Sequence, residues 1–206
     1  LHVRLHSFPT RRSSDLNSSR CGVFFLDLDR FKNLNDSMGH TFGDCVLIDV
    51  AQRLKACLRD ADTLCRLGGD EFVIFVQDID ADGAEVMARR ILDSMGLPFQ
   101  IDDMMFSVGC SVGIALYPDD GKTLDALIKC ADTAMYLVKA RGRGNFRFYQ
   151  PQMNVDLLSH IKMDHAMRLA LEQNAFRLHY QPQISLDDGS LLGAEALIRW
   201  TDAELG

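Results

Sequence analysis

The chain has 206 residues, 47% of them hydrophobic, and carries a formal charge of −7 with a pI near 5.3. That length buries one domain-sized core and little more, and the acidic balance excludes broad electrostatic binding to a nucleic-acid polymer while leaving room for a free nucleotide. No apolar run approaches the ~20 residues that span a bilayer, and six cysteines without Cys-x-x-Cys spacing read as core thiols in a reducing cytoplasm.

In chain order, residues 1–16 stand apart. The run from His6 to Leu16 (HSFPTRRSSDL) resembles the translation of a sequencing-adapter oligonucleotide, with a disordered Ser/Arg-rich tail as the alternative, and is set aside from the fold. Val23 to Asp27 is an apolar run that reads as a central strand, and pleat alternation puts Asp27 and Asp29 on one side with Leu26 and Leu28 on the other. One of these acids can be a ligand and the other structural. Phe42 to Arg59 reads as a well-buried helix, and strands at Asp62–Leu67 and Phe72–Val76 flank Gly68-Gly69-Asp70-Glu71. Asp82 to Met95 is a helix opened by an Asp82/Glu85 capping-box-like pair and closed by Gly96 and Pro98. Strands at Phe99–Ile101 and Met105–Tyr117 precede a helix capped by Thr123 and ended by Gly142, and Asn145–Tyr149 closes the sheet. These periodicities define an α/β class.

The Gly68-Gly69-Asp70-Glu71-Phe72 segment places two glycines and two carboxylates at a hairpin tip. Adjacent glycines permit positive φ and let a ligand approach bare backbone, while Asp70 and Glu71 offer oxygen donors to a hard cation. Asp27 beside Asp70 would be a repelling pair unless a divalent ion neutralised it, which implies magnesium (or manganese).

Asp27-Leu28-Asp29-Arg30-Phe31-Lys32-Asn33-Leu34-Asn35, Gly43-Asp44, Arg66-Leu67, the pentapeptide, Ser111-Val112-Gly113, Ala131-Asp132 and Lys139 with Gly142-Arg143 together resemble the GGDEF family of diguanylate cyclases over about residues 21–149. The resemblance implies a mixed, largely antiparallel sheet flanked by helices, like the palm of nucleotidyl cyclases, and condensation of two GTP into cyclic di-GMP with release of two pyrophosphates by a homodimer. It also implies Mg²⁺ held by Asp27, the Leu28 carbonyl and Asp70. Glu71 is either a general base or a metal support, the second being preferred. Lys139 and Arg143 are expected on the triphosphate, or else as a plain helix-end charge pair. Arg30, Phe31, Gly68 and Gly69 join the nucleotide-binding set. Asn35 and Asp44 read guanine, because a carboxylate accepts from N1 and N2 hydrogens that adenine does not offer; Asp44 could also cap its helix. Arg59, Asp62 and Arg90 match a product-inhibition site, with Arg59 otherwise capping a helix end.

The family's opening Leu-Thr-Gly-Leu motif and helix are not found in the first residues, so reduced stability is expected. The cyclase domain is assigned to residues 17–150 and a linker helix to 151–174. Residues 175–206 resemble the start of an EAL-type cyclic di-GMP phosphodiesterase, in which Glu195 and Arg199 match metal and substrate positions. Asp202-Ala203 departs from that family's usual pair, and hydrolysis is not expected here. His160 and His165 read as solvent-facing. The chain is read as cytoplasmic and as a piece of a longer dual-domain signalling protein whose missing parts could anchor it to a membrane. The alternative function is a noncatalytic module that binds GTP or cyclic di-GMP and controls the attached EAL domain.

Overall fold

The structure, a computed structural model, describes residues 20–101 and 103–201. Both the adapter-like run and Asp202-Ala203 lie outside the described residues. The chain divides into two compact units between Asn154 and Val155.

The first unit is organised on β1 (Cys21–Leu28), whose eight residues are all buried. It is followed by α1 (Phe31–Met38), α2 (His40–Ala56), the hairpin strands β2 (Thr63–Gly68) and β3 (Glu71–Gln77), α3 (Ala81–Gly96), the short pair β4 (Phe99–Ile101) and β5 (Met104–Phe106), β6 (Cys110–Tyr117), α4 (Leu124–Ala140) and β7 (Phe146–Phe148). The main sheet runs β2-β3-β1-β6-β7 and is antiparallel except for the parallel β6–β7 edge. The mixed, largely antiparallel sheet flanked by helices is therefore present.

Alternation along β1 divides the core. Phe24, Leu26 and Leu28 enter a cluster with residues of α2 and α3, including Val50, Leu54, Ala88 and Ile91. Val23 and Phe25 enter a second cluster with Ala131 and Met135 of α4. Asp27 continues the α4-facing row, because side chains two apart share a face. Gly113 lets α4 lie that close to the sheet: a Cβ there would stand 1.9 Å from the Ala131 carbonyl oxygen.

Two helix starts differ from the sequence expectation. The cap of α3 is Asp80, whose carboxylate accepts from the Gly83 N–H at 2.9 Å, while Glu85 pairs instead with Arg89. Helix α2 begins at His40 behind Gly39, without a side-chain cap. Thr123 caps α4 as expected, accepting from the Ala126 N–H. That helix ends with the Arg143 N–H on the Val138 carbonyl, the long bond of a Schellman-type end, and Gly142 at φ +119°.

Helix α5 (Gln152–Glu172) begins in the first unit, where Met153 packs with Ala134 and Leu137 of α4. The second unit also holds an antiparallel hairpin of β8 (Arg177–Ile184) and β9 (Leu191–Arg199). No helix among the described residues is long and apolar enough to cross a membrane. The cysteines Cys21, Cys45, Cys57, Cys65, Cys110 and Cys130 are free thiols, Cys45 lying exposed.

Candidate active site

The β1 register places Asp27 directly opposite Glu71 on β3 and opposite Ser111 on β6. One residue on, the Leu28 N–H donates to the Asp70 carbonyl at 3.3 Å, which ties the end of β1 to the hairpin tip. The tip is a two-residue turn, Gly69-Asp70, closed between Gly68 and Glu71, with Gly69 at φ +52° as tight hairpins require. Nothing lies within 4 Å of where a Cβ would stand on Gly68 or Gly69, so the tip is open to a ligand. Arg66 steadies it, its Nε and Nη2 donating to the Gly69 carbonyl at 2.9 and 2.7 Å.

Among the described residues the buried polar side chains are Asp27, 5% exposed, and Ser111. Burial pushes the Asp27 carboxyl up to about 6, and the charges of Asp70 and Glu71 push the same way. The Lys139 ammonium opposes them from 2.5 Å. Lys139 reaches Asp27 because it lies in the last turn of α4, the helix packed over that face of the sheet.

The donors here are all oxygen, which fits Mg²⁺ or Mn²⁺ and not a softer metal. No group of three His, Cys, Asp or Glu side chains among the described residues is placed to hold an ion by itself. Carboxylates of this kind suit Mg²⁺ bound jointly with substrate phosphates. Buried Asp27 and the like-charged, half-buried Asp70 and Glu71 beside it fit such a cation.

Several expected roles change. Phe31 buries its ring in the core, 5% exposed, so that ring is not available to a nucleotide. Arg30 adopts a left-handed φ of 59° before α1 and lines a cavity of about 330 Å³ with Asp29, Leu34 and the Gly142-Arg143-Gly144 loop. Arg143 lies beyond α4 at φ +66°, so Lys139 and Arg143 are not a helical i, i+4 pair. Asp44 sits inside α2 with an exposed side chain and does not cap it. The Asn35 Oδ1 is buried without a partner, against Gly43, where a Cβ would come within 1.8 Å of it.

Arg59, Asp62 and Arg90 line a separate cavity of about 590 Å³, together with Arg20 and the Asp78-to-Gly83 segment. Asp62 accepts from the Arg59 N–H at 2.9 Å. The guanidinium that caps the end of α2 is that of Arg90, which donates to the Cys57 carbonyl at 2.5 Å, and not that of Arg59. In the second unit, Glu195 and Arg199 are exposed on β9, and Arg199 donates to the neighbouring Ile198 carbonyl.

Sequence reasoning missed three contacts: Arg66 on the hairpin turn, Lys139 on Asp27, and Asp29 bonded to Ser111 and Gly144. A polar Ser111 inside the apolar run of β6 was a usable signal for the last of these. The others depend on packing.

A sheet of this order, with acids where β1 meets a Gly-Gly hairpin and cationic residues at the end of the covering helix, defines a nucleotidyl cyclase palm-like domain. The description "Diguanylate cyclase, GGDEF domain" matches residues 6–145, starting within the stretch set aside above, and "EAL domain" matches residues 164–206. The chain belongs to the GGDEF diguanylate cyclase family, followed by an EAL segment. It is 41% identical to the bifunctional diguanylate cyclase/cyclic di-GMP phosphodiesterase MucR of Pseudomonas aeruginosa, across 100% of this chain and 32% of MucR. It is 42% identical to the cyclic di-GMP phosphodiesterase PdeR of Escherichia coli, across 92% of this chain and 29% of PdeR. The chain thus spans about a third of these relatives. Among solved structures, the GGDEF domain of TpbB from Pseudomonas aeruginosa matches at TM-score 0.67 and 38% identity, covering 72% of this chain and 88% of that one.

Proposed function

We propose that the first unit is a diguanylate cyclase that joins two GTP molecules into cyclic di-GMP. The observation that carries this is Asp27, a buried carboxylate opposite Glu71, linked to the Asp70 turn through Leu28 and paired with Lys139. Asp27, the Leu28 carbonyl and Asp70 would hold Mg²⁺ (or Mn²⁺), which would supply Lewis-acid charge neutralisation to the triphosphate. Glu71 supports that ion from the same turn. Lys139 and Arg143 bind the triphosphate, Arg30 borders it, and Asn35 with Asp44 selects guanine over adenine. Each protomer of a homodimer holds one GTP. The ribose 3′-oxygen of each attacks the α-phosphorus of the other, losing its proton, and pyrophosphate leaves, so two phosphodiester bonds form as two pyrophosphates depart.

Arg59, Asp62 and Arg90 bind the product: an arginine fork meets phosphate or a guanine edge while Asp62 accepts guanine hydrogens. The P. aeruginosa diguanylate cyclase TpbB, 40% identical over 71% of this chain, supports the cyclase reading. The name of PdeR favours a second one, in which this unit binds GTP or cyclic di-GMP without turnover and regulates an EAL domain.

The two separate in one assay. The chain is incubated with GTP and Mg²⁺ and the products are resolved by chromatography, with Asp70→Ala as control. Cyclic di-GMP from the native chain alone supports the cyclase. GTP bound with no cyclic product supports the regulator.

A further inference from the structure

The second acid at the end of β1, Asp29, is not part of the metal set, yet both its carboxylate oxygens are committed. Oδ1 accepts from the Ser111 hydroxyl at 2.7 Å, and Oδ2 accepts from the Gly144 N–H at 3.0 Å. Its own N–H donates to the Gly109 carbonyl at 2.9 Å. Asp29 therefore brackets three pieces of chain: the end of β1, the start of β6 and the loop after α4.

That loop is conformationally unusual. Gly142, Arg143 and Gly144 follow one another at φ of 119°, 66° and 60°. Glycine tolerates this, but a long side chain such as Arg143 stays in the left-handed region only where its surroundings hold it. On one side the Arg143 N–H is held by the Val138 carbonyl at 3.1 Å, and on the other Gly144 is held by Asp29. Asp29 and Arg143 line the same cavity of about 330 Å³. They form no ion pair with each other, the ion pairs of the described residues being Arg89–Glu85 and Lys139–Asp27. The contact that links Asp29 to the Arg143 turn is its bond to the Gly144 backbone.

We infer that Asp29 is a positioning residue: by gripping Gly144 it holds the left-handed Arg143 turn so that the guanidinium is presented to the nucleotide's phosphates. This rests on the reading of Arg143 as a triphosphate contact. The two acids at the end of β1 then divide the work, Asp27 serving the cation and Asp29 the loop that carries a cationic partner.

Equilibrium binding of radiolabelled GTP and of GMP to the full chain tests it. Asp29→Asn keeps size and shape but presents one amide NH₂ where two acceptors are needed. It should weaken GTP about tenfold, as for a lost charged acceptor, while GMP, lacking the outer phosphates, changes by less than about twofold. In an Arg143→Ala background the same substitution should add almost nothing, since the two act as one unit. Ser111→Ala, which loosens the bracket without removing it, should give a smaller loss in the same direction and serves if Asp29→Asn does not fold. Equal losses for GTP and GMP, or full additivity with Arg143→Ala, would make Asp29 a purely structural residue and overturn the inference. If Arg143→Ala itself leaves GTP affinity unchanged, the triphosphate reading fails and the inference falls with it.

Discussion

Strands β1 and β8 have the same length, eight residues, and opposite fates. Strand β1 lies between β3 and β6, with core clusters on both faces, and every residue is buried. Strand β8 pairs only with β9 among the described residues, and every residue is exposed. Each hairpin or sheet carries an acid of expected function, Asp27 at the end of β1 and Glu195 on β9. Burial beside Asp70 and Glu71 raises the affinity of Asp27 for protons, whereas the Glu195 side chain lies exposed on β9.

The contrast can be broken most severely at the hairpin tip. Asp70→Ala should lower the rate of cyclic di-GMP formation by at least ~10² to 10³, the loss typical of one group that stabilises a transition state, measured by product chromatography. Retained turnover would reject its place in the site. Next comes the core itself: Phe24→Ala should destabilise the first unit by about 3–5 kcal/mol, while Leu192→Ala, at a position 72% exposed, should change stability by less than about 0.5 kcal/mol. Paired urea titrations would show this, and similar costs at both positions would erase the distinction between the strands.

A smaller effect is pH-dependent. The folded Asp27 carboxyl sits near 6, above its ordinary 3.8, because of burial first and like charge second. Folding therefore favours the protonated form. The stability contributed by Asp27 is full below about pH 4 and is lost as pH rises through 6. Asp27→Asn cannot lose it, so relative to the native chain the variant should gain on the order of 3 kcal/mol between those limits. Thermal melts across that range test the sign, and a difference that stays flat with pH would contradict the burial argument. Arg59→Ala should leave the initial rate of synthesis unchanged and weaken inhibition by added cyclic di-GMP; an unaltered inhibition constant would remove the second cavity from the account.

Much of this fold could be read from residue patterns because the cues are local. The apolar run of β1, the Gly-Gly turn and the Thr123 cap each announce an element within a few residues. Helix starts are less well marked: Asp82 and Glu85 read as the capping pair, and the cap is Asp80, which accepts from the Gly83 N–H. The bonding among the candidate site residues was not legible. Asp29 meets partners 82 and 115 residues away, and Lys139 meets Asp27 only because Gly113 admits α4 to the sheet. Arg143 misled in another way, since its spacing from Lys139 looks helical while Gly142 has already turned the chain out of the helix.

The most direct measurement is a titration of Mn²⁺ against the chain in the presence of GTP, followed by electron paramagnetic resonance. Asp27→Asn and Asp70→Asn should each weaken retention of the ion by at least about tenfold, since even residues that merely support metal ligands cost that much, and Glu195→Gln should leave it unchanged. Native affinity in both aspartate variants would mean that the end of β1 and the hairpin tip do not share a cation.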